Sequence, residues 1–187
     1  KLGRDAEFQA IIPIRGKILN CLKSDYEKIF KNDIITDLLK VLGCGVEIKS
    51  KHSSNINSFD LSQLRWNKVI ICADVDGYQI RTLVLTMLYR LVPTLISEKK
   101  VYIAESPLYE ITSGKNTYFA YTENEKAQII SGLKGKYTIQ RSKGLGENQP
   151  EMMWETTMNP ETRRLIMVTP DLAELTQQKF ELLLGEN

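Results

Sequence analysis

Lys68-Val69-Ile70-Ile71-Cys72-Ala73 runs directly into Asp74-Val75-Asp76-Gly77, and Tyr78-Gln79-Ile80-Arg81-Thr82-Leu83 follows without a break. The first run is short, apolar and β-branched, the pattern of a strand covered on both faces in a parallel sheet. From Tyr78 to about Ser97 the spacing predicts one long helix, with Leu83, Met87, Leu88 and Leu91 on its core side. A parallel strand feeding a helix sets their connecting loop at the carboxyl edge of the sheet, where α/β folds collect ligands. Asp74 and Asp76, two residues apart, can aim their carboxylates at one point there. Such hard oxygen donors suit Mg²⁺, and Gly77 lets the backbone turn into the helix. An EF-hand loop is excluded, because its first and twelfth positions would fall on Cys72 and Leu83. A plain acidic helix start remains open on these residues alone.

Outward from this junction the chain alternates strands and helices. Phe8 to Ile14 reads as a short extended segment. Ser24-Asp25-Tyr26-Glu27 has the spacing of a capping box, with Ser24 as the cap of a helix running to Gly43. Residues 46–64 are polar and loop-like. Lys100–Ala104, Leu108–Thr112, Tyr118–Tyr121 and Tyr137–Arg141 are strand candidates, and Thr122-Glu123-Asn124-Glu125 caps a helix to about Gly132. Pro150 and Pro160 fit first turns, and Thr169-Pro170-Asp171 opens a final helix. The expected architecture is an α/β domain followed by a smaller mixed segment.

Composition narrows the function. The 187 residues carry 25 Lys+Arg against 23 Asp+Glu, with 42% hydrophobic residues, the make-up of a folded chain rather than a disordered one. Three cysteines are too few and too scattered for a disulfide scaffold or zinc knuckle, which suggests reduced thiols inside a cell. The most apolar stretch, Ile80 to Ile96, contains Arg81, Arg90 and Pro93 and falls short of the ~20 apolar residues a membrane span needs. Lys1-Leu2-Gly3-Arg4-Asp5 is neither a signal peptide nor an initiator-methionine start, so a longer parent chain is expected.

Positive charge is local. Residues 1–24 and 134–147 each carry a net +3, whereas 171–187 carry −3. Arg15-Gly16-Lys17 and Arg141-Ser142-Lys143-Gly144-Leu145-Gly146-Glu147 both pair cations with glycine, which lets the backbone approach an anion that the side chains neutralise. Neither is a Walker loop. The single histidine, His52, lies in a polar loop and supports no nucleophile–base constellation.

The order of these motifs resembles the TOPRIM region of the B subunits of bacterial type IIA DNA topoisomerases, the gyrase and topoisomerase IV family. The resemblance rests on Ile12-Pro13-Ile14-Arg15-Gly16-Lys17-Ile18-Leu19-Asn20, Ala73-Asp74-Val75-Asp76-Gly77 with Ile80-Arg81-Thr82-Leu83, and Tyr102-Ile103-Ala104 with Pro107-Leu108-Tyr109. Lys143-Gly144-Leu145-Gly146-Glu147 and Trp154-Glu155-Thr156-Thr157-Met158 with Pro160-Glu161-Thr162-Arg163 complete it. It implies a Rossmann-like TOPRIM domain over residues 1–106, lacking its first strand, and a carboxyl-terminal tail segment over 107–187. It also implies Mg²⁺ held by Asp74 and Asp76, and duplex DNA contacted by Arg15, Lys17 and Lys143. The attacking tyrosine would belong to a partner A subunit, ATP to an upstream region, and the whole to a cytoplasmic A2B2 assembly. This chain alone would then be inactive.

Five departures accompany the resemblance. Cys72 stands where the family has a further aspartate, and the glutamate of its Glu-Gly-Asp motif would precede Lys1. Gln79, Glu110 and Ser142 replace a histidine, a lysine and a tyrosine. A thiol is a poor ligand for a hard cation, so a catalytically weakened paralogue acting in DNA binding or subunit docking is the alternative expectation.

Overall fold

The computed structural model describes residues 1–16, 18–74, 77–142 and 144–184. The chain divides into two compact units. One comprises residues 13–71, 79–103 and 167–187, the other residues 1–12, 72–78 and 104–166.

The first unit is built around a parallel strand pair. β1 (Val69–Ile71) and β2 (Val101–Ala104) pair in register from Val69–Val101 to Ile71–Ile103. Parallel neighbours require a crossover, supplied by α3 (Tyr78–Leu91) and α4 (Pro93–Ser97). Every residue of α3 from Thr82 to Leu88 is buried, as is Leu91, so this helix is enclosed rather than one-sided. The expected core stripe is therefore present, but the expected single helix to Ser97 is not. Pro93 has no N–H to continue the ladder, Val92 before it leaves helical geometry at φ −143° and ψ 54°, and Pro93 restarts the chain as the first residue of α4.

The helix expected over 24–43 is likewise two. Asp25, not Ser24, caps α1 (Tyr26–Lys31), accepting the Lys28 N–H at 2.8 Å, while the Ser24 carbonyl accepts from Arg90 Nη1 at 2.9 Å. Asn32 then ends α1 and caps α2 (Asp33–Leu42) by accepting from the Ile35 N–H. The Asn32 carboxamide competes for backbone donors that a continuous helix would use, which is why the break falls there. α2 buries Ile35, Leu38, Leu39 and Leu42 and stops at Gly43, which sits at φ 80°.

The second unit holds an antiparallel sheet ordered β4-β3-β5: β3 (Tyr109–Ser113), β4 (Asn116–Ala120) and β5 (Thr138–Arg141). β3 and β4 are joined by Gly114-Lys115, a two-residue turn with Gly114 at φ 62°. α5 (Glu123–Gly132) starts at Thr122, whose hydroxyl accepts the Glu125 N–H. The Glu125 carboxylate accepts from the Tyr121 N–H and from Arg164 Nη1, both at 2.6 Å, and the guanidinium lies 3.9 Å from the Tyr121 ring centroid. Lys126 pairs with Glu123 and covers the Tyr109 ring. α6 (Pro150–Met153) opens on Pro150 as expected and passes into a π-helical turn, Trp154–Met158, whereas α7 (Pro170–Leu184) belongs to the first unit. Pro160 sits in a turn, not a helix, which corrects that expectation; in the segment 8–14, Phe8 lies in a turn and residues 9–14 join no sheet. Gln9 instead reaches across its own unit to donate to the Met158 carbonyl at 2.7 Å.

Glu125 supplies a pH test of this packing. Its carboxyl is held below the usual glutamate value of 4.5 by the Arg164 hydrogen bond, with help from the Tyr121 N–H. A depressed folded pKa stabilises above the unfolded value and is lost as pH falls through the folded one. Thermal melting is therefore expected to drop as pH falls below about 4.5, and Arg164→Ala is expected to flatten that drop while lowering the melting temperature at neutral pH.

Candidate metal and DNA-cleavage site

β1 hands the chain to Cys72, Ala73 and Asp74. A turn follows in which the Gly77 N–H donates to the Asp74 carbonyl at 3.0 Å. Gly77 is buried, and a Cβ there would come within 2.6 Å of the Ala73 Cβ and 3.0 Å of Asp74 Oδ1. The close return of the chain onto Asp74 thus requires glycine. The Ser106 hydroxyl donates to the Ala73 carbonyl at 3.1 Å, fixing the backbone just before the carboxylate.

The glycine-rich loop reaches the same place. A Cβ built on Gly144 would stand 3.6 Å from Asp74 Oδ2, so this loop lies beside the carboxylate although 70 residues separate them in sequence. Sequence reading singled out both motifs but gave no signal that they meet. It also missed Ser106, a lone serine with no spacing cue.

Cys72 is exposed as a residue. The protein packed about its thiol nevertheless raises its pKa by desolvation, and the Asp74 carboxylate raises it further. Cys21 and Cys44 are core residues; burial pushes the Cys21 thiol up to about 11.

Of the expected DNA-contacting residues, Arg15 is exposed in the other unit, in the irregular segment after Pro13. Lys17, Asp76 and Lys143 lie outside the described residues. Among the described residues there is no group of three or more His, Cys, Asp or Glu side chains arranged to hold a metal. Asp74 supplies carboxylate oxygens of the kind Mg²⁺ takes, with glycine backbone rather than bulk beside Oδ2. Cys72 supplies only soft sulfur. Asp74 is thus a donor that fits Mg²⁺, and residue 72 is not.

Residues 1–106 match the Toprim domain family, and residues 134–187 match the carboxyl terminus of the DNA gyrase B subunit. The chain belongs to the Toprim domain family. It is similar over its whole length to the B subunits of several DNA gyrases: 46% identical over 190 residues to that of Thermotoga maritima, and 44% to those of Metamycoplasma hominis and Synechocystis sp.. It spans 28% of the length of the first two relatives and 17% of the third.

Gly77→Ala is expected to cost about 1–3 kcal/mol of stability, since the added methyl meets Ala73 and Asp74 below contact distance. Urea unfolding measures this, and an unchanged midpoint would mean that the turn relaxes freely around residue 77.

Proposed function

We propose that this chain is the Toprim and tail portion of the B subunit of an ATP-dependent type II DNA topoisomerase, supporting double-strand cleavage and religation by a tyrosine of the partner A subunit. The observation that carries the reading is Asp74 at the end of β1 with the Gly144 loop beside its Oδ2. Asp74 and Asp76 are the residues that would hold Mg²⁺. The ion, when bound, would stabilise charge on the scissile phosphodiester and the departing oxygen.

The protein's own groups perform the positioning. Gly77 returns the chain so that Asp74 is held by a short turn, and Ser106 anchors the carbonyl before it. Arg15, Lys17 and Lys143 would neutralise phosphates along the DNA path, fixing register without reading sequence. None of the chain's eight tyrosines takes the nucleophile's role in this reading. ATP binds in an upstream region, and the working assembly is a cytoplasmic A2B2 heterotetramer. Among the described residues no helix is long and apolar enough to cross a membrane.

Cys72 supports a second reading, a paralogue weakened in cleavage that retains DNA binding or subunit docking. A carboxylate at this position would add a hard donor two residues from Asp74; the thiol does not. The two readings separate in a Mg²⁺ titration of cleavage by the full-length protein assembled with its A subunit. Cys72→Asp is expected to lower the Mg²⁺ needed for half-maximal cleavage by about tenfold, and Asp74→Asn to reduce cleavage by about a hundredfold or more. Unchanged cleavage in Asp74→Asn would remove the metal assignment. Undetectable wild-type cleavage restored by Cys72→Asp would establish the weakened paralogue. Metal-dependent cleavage by the 187-residue chain alone would contradict the partner tyrosine.

A further inference from the structure

The second unit carries a feature that cleavage does not use: two glycine–lysine segments meeting at one end of its antiparallel sheet. Ser113 pairs with Asn116 across the Gly114-Lys115 turn, and the Ser113 hydroxyl donates to the Lys136 carbonyl at 3.3 Å. This brings Lys115 to the same end as the segment Gly132-Leu133-Lys134-Gly135-Lys136. Lys115, Lys134 and Lys136 are exposed, and among the described residues none of them makes an ion pair. Gly114 and Gly135 sit at φ 62° and 120°, and a Cβ on either would meet nothing within 4 Å, so the backbone here is open to a large partner.

The charge at this end is one-signed by sequence. There is no acid from Ile111 to Thr122 or from Lys126 to Gly146. The nearby acids of α5 lie at its first turn and are engaged: Glu123 by Lys126, Glu125 by Arg164. The groove beside β4 is lined by Glu110, Glu147, Glu151 and Glu155 and also by Lys115 and Arg141, so Lys115 borders a mainly acidic wall on that side.

We infer that the tip formed by Lys115, Lys134 and Lys136 contacts the phosphate backbone of duplex DNA. The inference rests on the topoisomerase reading for its partner, and it adds a contact surface away from Asp74. Phosphates need cations on flexible stems and accessible backbone N–H groups rather than a shaped pocket. Two glycine-bearing turns with three unpaired lysines supply both. The contact is sequence-independent, because the side chains it uses are point charges rather than bidentate readers of base edges.

The test is the salt dependence of duplex DNA binding by the full-length protein with its A subunit, measured in EDTA so that no metal-dependent cleavage contributes. Replacing Lys115, Lys134 and Lys136 together by alanine is expected to make the slope of log affinity against log salt shallower by about 2–3 units, near 0.9 per lost phosphate contact. Replacing them by glutamate is expected to weaken binding at least tenfold more than the alanine set. A slope equal to wild type in the alanine set overturns the inference, as does a loss confined to association with the A subunit. Because the measurement is metal-free, its failure leaves the Asp74 reading standing, and loss of that reading leaves the slope intact.

Discussion

The parallel pairing of β1 with β2 is the constraint on which the rest depends. Only three residue pairs hold the two strands in register, from Val69–Val101 to Ile71–Ile103. Parallel pairing forces a crossover, and the crossover helix α3 is enclosed by protein from Thr82 to Leu88. Burying that much apolar surface outweighs the marginal strength of so short a strand pair. The register then determines where β1 ends, and Cys72 to Asp74 follow at once.

Asp74 is further fixed by groups that do no chemistry. The Gly77 N–H on the Asp74 carbonyl and the Ser106 hydroxyl on the Ala73 carbonyl fix the backbone about Asp74, and Gly144 lies beside its Oδ2. Against this order the sulfur of Cys72 stands out. It occupies the rim with a thiol whose pKa is raised by desolvation and by Asp74, so the charge-neutral form predominates at neutral pH. A neutral thiol offers a hard cation neither charge nor a suitable donor. Among the described residues, Asp74 is a hard oxygen donor at this place and Cys72, two residues before it, is not.

Much of this was legible in the residues. The β-branched run before Asp74, the alternation of elements and the core face at Leu83, Met87, Leu88 and Leu91 follow from periodicity, and the antiparallel strands fall within a residue or two of their predicted places. The misreadings share a cause. Asn32 and Val92-Pro93 interrupt apolar patterns that are otherwise helical, and a pattern does not reveal which backbone donors a side chain will take. Ser24 has capping spacing, but Asp25 beside it takes the Lys28 N–H. The meeting of Gly144 with Asp74 was not legible, because a long-range approach leaves no local periodicity. Residue type alone suggested the chemistry of the candidate site; the fold supplied the neighbours.

The central claim is that Asp74 and Asp76 hold a divalent ion. Its most direct measurement is anomalous scattering from crystals of the protein equilibrated with Mn²⁺. The expected result is a peak at coordination distance, about 2.2 Å, from an Asp74 carboxylate oxygen, shared with Asp76 and leaving the Cys72 sulfur outside the first coordination sphere. Crystals saturated with Mn²⁺ that show no peak at Asp74, or a carboxylate directed into backbone N–H groups of α3, would contradict it.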